Sequence, residues 1–149
     1  MSRYKPNVTL ACVIKCQDKY LMVEELIEGQ LQYNQPAGHL EANESLLDGC
    51  IREVYEETGL SVSPAALIGI YQYTASNDLA FLRFTYFCEL ATQRPASPQD
   101  TAINRALWLT LAEIKALKSQ LRSPLVLQCI EDLQSGKQFS TDVVNCQFL

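Results

Sequence analysis

The sequence contains one histidine, His39, and no CxxC pair, which excludes the usual zinc-ligand spacings. Its six cysteines, Cys12, Cys16, Cys50, Cys88, Cys129 and Cys146, fall at irregular intervals, most of them in apolar surroundings, and read as buried free thiols of a reducing compartment. Basic residues neither dominate nor cluster: 12 Lys and Arg stand against 17 Asp and Glu, for a formal charge of −5. That balance argues against a nucleic-acid polymer as the main partner. The N-terminal MSRYKPN lacks an apolar signal core, and no apolar run approaches membrane-spanning length. A cytoplasmic protein with no membrane partner is expected. Repeats, low-complexity segments and an interdomain linker are also lacking, although the Pro/Ser-rich stretch Gln93–Gln99 must be a loop.

What is present suits one domain over residues 1–149, since 149 residues with 48% hydrophobic content can bury a continuous core without staples. Val8–Cys16 and Tyr20–Leu26 read as a strand pair around Gln17-Asp18-Lys19. Ala66–Thr74 and Leu79–Leu90 repeat the pattern around Ala75–Asp78. In the second of these, Leu82, Phe84, Tyr86 and Cys88 face one way and Phe81, Arg83, Thr85 and Phe87 the other. Ala106–Leu109 is a further short strand. Three helices are marked by their ends: Ser45 with Asp48 as a capping box before a helix closed by Gly59; Thr110 with Glu113; and Ser123 as N-cap with Pro124 at the first helical position and Gly136 beyond the end. Strands surround the first helix and two helices follow the last strand, which predicts a mixed α/β sandwich.

Wound at about 100° per residue, Ser45–Thr58 places Glu53, Glu56 and Glu57 within one arc of roughly 100°. Leu47, Cys50, Ile51, Val54 and Tyr55 form an apolar stripe on the other side that anchors the helix on a sheet. Three close anions repel and raise carboxylate pKa values unless a cation is present. Only Arg52 accompanies them, placed to pair with Glu56 or to brace Glu53. Oxygen-only ligands favour Mg²⁺ or Mn²⁺, which keep waters and take further oxygens from phosphates. Spacing alone leaves open the alternative of an acidic solvated face with no ligand.

From Gly38 to Leu60 the run GHLEANESLLDGCIREVYEETGL meets every fixed and apolar position of the Nudix signature. A chance match has a probability on the order of 10⁻⁹ per starting position. With the flanking strands and Leu107-Trp108-Leu109-Thr110, the chain resembles the Nudix hydrolase family over nearly its whole length. The resemblance implies an α/β/α sandwich with a catalytic loop–helix–loop. It also implies a divalent metal site formed by Glu53, Glu56, Glu57 and the carbonyl of Gly38. Arg52 would orient the carboxylates, and Glu44 would serve the loop or an outer metal shell. Glu53 is the candidate base among carboxylates whose role varies in the family. Departing from many members, His39 stands where a second glycine is common; a lone histidine without a visible partner reads as a loop residue, with a phosphate contact or proton donor as the functional alternative.

Lys5–Thr9, Asn34–Ala42, Phe81–Phe84 and Leu121–Val126 are similar to the phosphatase NudJ subfamily. That similarity implies hydrolysis of nucleoside di- and triphosphates, or of thiamine-type and hydroxymethylpyrimidine diphosphates, with release of orthophosphate. Tyr33, Tyr71 and Tyr73 are candidates to stack a flat ring, although sheet packing explains each of them too. Arg83 can hold a phosphate if its face lines the cleft. Asp100 is the nearest further acidic ligand, or else a plain loop turn. Two other readings stand beside the enzyme, a monomer or homodimer acting on a small diphosphate. A non-catalytic Nudix-type module for nucleotide sensing or partner docking would usually lose the charged positions, and an RNA-end pyrophosphohydrolase would want a basic groove.

Overall fold

Alternating apolar residues produce the first hairpin in the computed structural model, which describes residues 2–149: β1 (Asn7–Cys16) turns through Gln17, at φ 55°, into β2 (Lys19–Ile27). The two strands pair only beside the turn, Lys15 with Tyr20 and Cys16 with Lys19. Beyond it they fork. β2 takes β3 (Gln30–Asn34) on one side and β7 (Ile103–Thr110) on the other, while β1 takes β4 (Ala37–His39) and β6 (Leu79–Glu89). β5 (Ala66–Ser76) closes the far edge against β6, giving a seven-stranded sheet with the main order β3-β2-β1-β6-β5. β1 and β6 run parallel and the other pairs antiparallel. The sheet is therefore mixed, as the element order predicts. Neither β3 nor β4 is legible in the sequence, because both are short and each directly follows a turn-forming residue, Gly29 and Pro36 respectively.

The helices begin and end close to their signals. α1 (Leu46–Thr58) is capped by the Ser45 hydroxyl, which accepts from the Asp48 amide at 3.0 Å, and Gly59 closes it at φ 75° with its amide on the Tyr55 carbonyl. Ser45 and Asp48 form half a capping box, since the backbone-to-hydroxyl bond is the one made. Thr110 and Glu113 form the whole box before α2 (Leu111–Ala116). At α3 (Leu125–Gln134) the expectation shifts by one residue: Pro124 is the N-cap, already in the helical region, and the Ser123 hydroxyl accepts from the Leu125 amide.

α1 lies on one face of the sheet, where Cys50 and Val54 pack with Leu10, Cys12, Ile14 and Tyr86. Burying one such aliphatic side chain stabilises the fold by about 1.5–3 kcal/mol, which anchors the helix on the sheet. Tyr55 does not join the stripe as expected; it is 48% exposed, because the arc from Leu47 to Val54 already fills the contact. On the opposite face Ile114 of α2 and Val126, Cys129 and Ile130 of α3 pack on Val13, Met22 and Ile68. This is the α/β/α arrangement. Five cysteines are buried, Cys146 is exposed, and all six are free thiols. Among the described residues no helix is long and apolar enough to cross a membrane.

Candidate active site

Arg52 organises the approach to α1. Its Nε and Nη2 donate to Glu44 at 2.9 and 2.7 Å, and Nη2 also reaches the His39 carbonyl at 3.0 Å. From Nη1 it meets Glu53 at 2.7 Å and Glu56 at 3.2 Å. Glu44 takes a further bond from the Glu41 amide at 2.8 Å. The Arg52 guanidinium holds the Glu44 carboxyl below its usual range, and the Glu41 amide adds to this against the effect of burial. Glu44 is thereby committed to bracing the loop. A Cβ at Gly49 would come within 2.8 Å of Glu44, so the small residue at that point of α1 leaves room for the brace.

Glu53 and Glu57 turn inward from α1 and are largely buried, whereas the Glu56 side chain is 42% exposed. The Glu53 carboxylate lies against Gly38: a Cβ there would stand 2.1–2.2 Å from its carboxyl atoms. Glu57 accepts from the Ala37 amide at 2.8 Å. Burial pushes the Glu57 carboxyl up to about 8, the Ala37 amide opposes this, and Glu53, Glu25 and Asp100 add repulsion. Burial likewise raises Glu53, with Arg52 opposing and Glu56 and Glu41 adding. Three carboxylates served by one guanidinium, with Glu57 in no ion pair among the described residues, are oxygen donors that fit a hard divalent cation. Arg52 engages Glu53 and Glu56, and among the described residues no three acidic, histidine or cysteine side chains form a ready ligand cluster.

The carboxylates open onto a cleft of about 510 Å³. The structure brings Gly38, His39, Tyr73, Arg83 and Asp100 to it, as the sequence suggested. Asp100 arrives because its amide and that of Gln99 cap the Glu56 carbonyl, both at 2.8 Å, which docks the Pro/Ser-rich loop on the end of α1. His39 lies in β4, not in a loop, where it pairs with Thr9 of β1 and offers its backbone carbonyl to Arg52. Tyr73 stacks on Phe81, with ring centroids 6.4 Å apart. Two candidates must be withdrawn. Tyr33 is buried with its hydroxyl donating to Glu24 at 2.6 Å, and Tyr71 donates to Asp132 on α3 at 2.6 Å, so neither reaches the cleft. Their β-strand positions gave no sign of these carboxylate partners. Sequence reasoning missed Arg122 and Glu25, which pair at 3.1 Å beside the cleft, and Gln35, which is buried behind it. Arg122 lies far along the chain from Glu25 and Gln35, so only the fold could assemble the three.

A family model described as NUDIX domain matches residues 3–128. The chain is 43% identical over 141 residues to "Phosphatase NudJ" of Escherichia coli, covering 95% of this chain and 92% of that protein. A solved NUDIX hydrolase from Nitrosomonas europaea is 49% identical and superposes with a TM-score of 0.87 over 95% of this chain and 97% of that one. A more distant fold neighbour, at 20% identity and a TM-score of 0.76, is a bifunctional NMN adenylyltransferase/ADP ribose pyrophosphatase from Francisella tularensis, complexed with AMP and a Mn ion. It covers 90% of this chain and 43% of that one.

Proposed function

The chain belongs to the Nudix hydrolase family, and from that premise we propose that this phosphohydrolase, as a single domain, releases orthophosphate from small diphosphates with Mg²⁺. Substrates are nucleoside di- and triphosphates, or diphosphates of thiamine or hydroxymethylpyrimidine type. The observation that carries the reading is the set of inward carboxylates on α1, with Glu53 seated on Gly38 and Glu57 on the Ala37 amide, at the wall of one cleft. The similarity to the Escherichia coli phosphatase NudJ supports the choice of phosphatase over pyrophosphatase chemistry. The Mn ion in the Francisella protein supports a divalent cation.

Glu53, Glu56, Glu57 and the Gly38 carbonyl would hold the cation. When bound, it supplies neutralising charge for phosphate oxygens and acidifies water near neutral pH. Arg52 keeps Glu53 and Glu56 oriented, with Glu44 fixing Arg52 in turn. Glu53, whose carboxyl is raised by burial, takes the proton of the attacking water. Its low exposure keeps bulk water from competing. The alternative of a non-catalytic module is disfavoured by the intact Glu53/Glu56/Glu57 set.

A phosphate-release screen across nucleotides and cofactor diphosphates, with and without Mg²⁺, tests the reading. Chelation should abolish turnover and Mg²⁺ restore it. With a nucleoside triphosphate in ¹⁸O-water, label should enter orthophosphate first and diphosphate should accumulate before monophosphate. Pyrophosphate appearing directly with monophosphate would contradict attack at the terminal phosphorus, and full activity after exhaustive chelation would contradict the metal site.

A further inference from the structure

Of the three arginines around the cleft, two are held in ion pairs. Arg52 is bound by Glu44, Glu53 and Glu56, and Arg122 by Glu25. Arg83 on β6 is 5% exposed and forms no ion pair among the described residues. Its Nη2 donates to Gln35 Oε1 at 2.9 Å, and Gln35 passes the tension on by donating from Nε2 to the Val126 carbonyl at 2.8 Å. Its Nε has no partner at all. A guanidinium does not shed its proton in a protein, so burying one without an anion costs several kcal/mol unless something else satisfies it.

The position of Arg83 says what is missing. It is registered with Thr9 on β1, and Thr9 with His39 on β4, so the three side chains share one face of the sheet and all border the cleft. Gln35 fixes one side of the fork from behind, which leaves the rest of the planar donor set for an incoming oxyanion. A neutral ligand group would leave the charge uncompensated; a phosphate would not.

We infer that Arg83 is the receptor for a phosphoryl oxygen of the substrate, and that Gln35 is its positioning residue. The inference rests on the proposed hydrolysis of diphosphates. It divides the recognition of one substrate between two chemistries: carboxylates that need an intervening cation and a guanidinium that needs none.

The probe is methylenediphosphonate, a diphosphate analogue that cannot be hydrolysed, titrated calorimetrically into the full chain with Mg²⁺ present. Arg83→Gln removes the charge. Gln35→Glu keeps Arg83 but gives it the carboxylate it lacks, so the site is already occupied. Both variants should bind the probe at least about tenfold more weakly, while the rise in melting temperature caused by Mg²⁺ alone stays at the wild-type value. On a nucleoside diphosphate, Gln35→Glu should raise KM far more than it lowers kcat. If Arg83→Gln fails to fold, Gln35→Glu decides. Wild-type affinity in either folded variant, or a wild-type protein that does not bind the probe, overturns the inference. Arg83-dependent binding by a protein that releases phosphate from no diphosphate would instead overturn the proposed function and leave the receptor standing.

Discussion

Glu57 is a carboxylate in a place that favours a carboxylic acid. Burial, followed by repulsion from Glu53, Glu25 and Asp100, sets its folded value at about 8, above the ordinary value of an unfolded glutamate. A raised folded value means the fold binds the proton more tightly than the unfolded chain does, so this contribution is complete below the unfolded value and is lost as pH rises through about 8. In EDTA the melting temperature should therefore fall between pH 5 and pH 8, with a slope from this group of at most about 1.4 kcal/mol per pH unit. Glu57→Gln, neutral at every pH, should flatten that slope and lower kcat by about 10²-fold, comparable to the loss of one electrostatic stabiliser. An unchanged slope in the variant would refute the assignment. The identity of the three glutamates and their shared arc were legible from spacing; which of them is buried was not, since that depends on Ala37 and Gly38 arriving from a separate strand.

Two glycines at the ends of the loop–helix–loop do different work, although one motif contains both. Gly38 has no positive φ; it is needed because the Glu53 carboxylate occupies the space of a Cβ. Gly38→Ala meets only the movable end of a side chain, so the fold should persist while kcat falls at least about tenfold through displaced Glu53. Gly59 sits at φ 75° with the Ser97 carbonyl 2.3 Å from where a Cβ would be. There the obstacle is backbone, and the left-handed conformation alone costs a non-glycine residue about 1–2 kcal/mol. Gly59→Ala should lower the melting temperature measurably and detach the loop that carries Asp100, whereas Gly38→Ala should not. Thermal melts of the two variants, run beside activity assays, separate the cases. Helix ends were readable because caps and glycines are local signals. β3 and β4 were not, because a strand of three to five residues exists only by virtue of the neighbour it pairs with.

For the whole molecule, ion binding and folding share a balance. A cation that binds only the folded state at about 100 times its Kd adds roughly 2.7 kcal/mol, which for a chain of this size is a rise of about 5–10 °C in melting temperature. Adding Mg²⁺ to the chelated protein should produce such a rise, and Glu56→Gln combined with Glu57→Gln should erase it; an equal rise in the double variant would place the ion elsewhere. The layered architecture followed from the order of strands and helices, but the fork of β1 and β2 did not, because it depends on register between segments far apart in the chain.

The pairing that completes the cleft joins Asn7–Lys15 to Phe81–Glu89 in parallel, across about half the sequence. Such contacts form late, since the entropy of closing a long loop must be met before the pairing contributes anything. During synthesis, residues 38–60 leave the ribosome well before β6 does, so a nascent chain displays every residue of the motif while Arg83 and the floor beneath it do not yet exist. The cleft is therefore assembled only when β6 docks on β1, long after the motif that forms its other wall has been made.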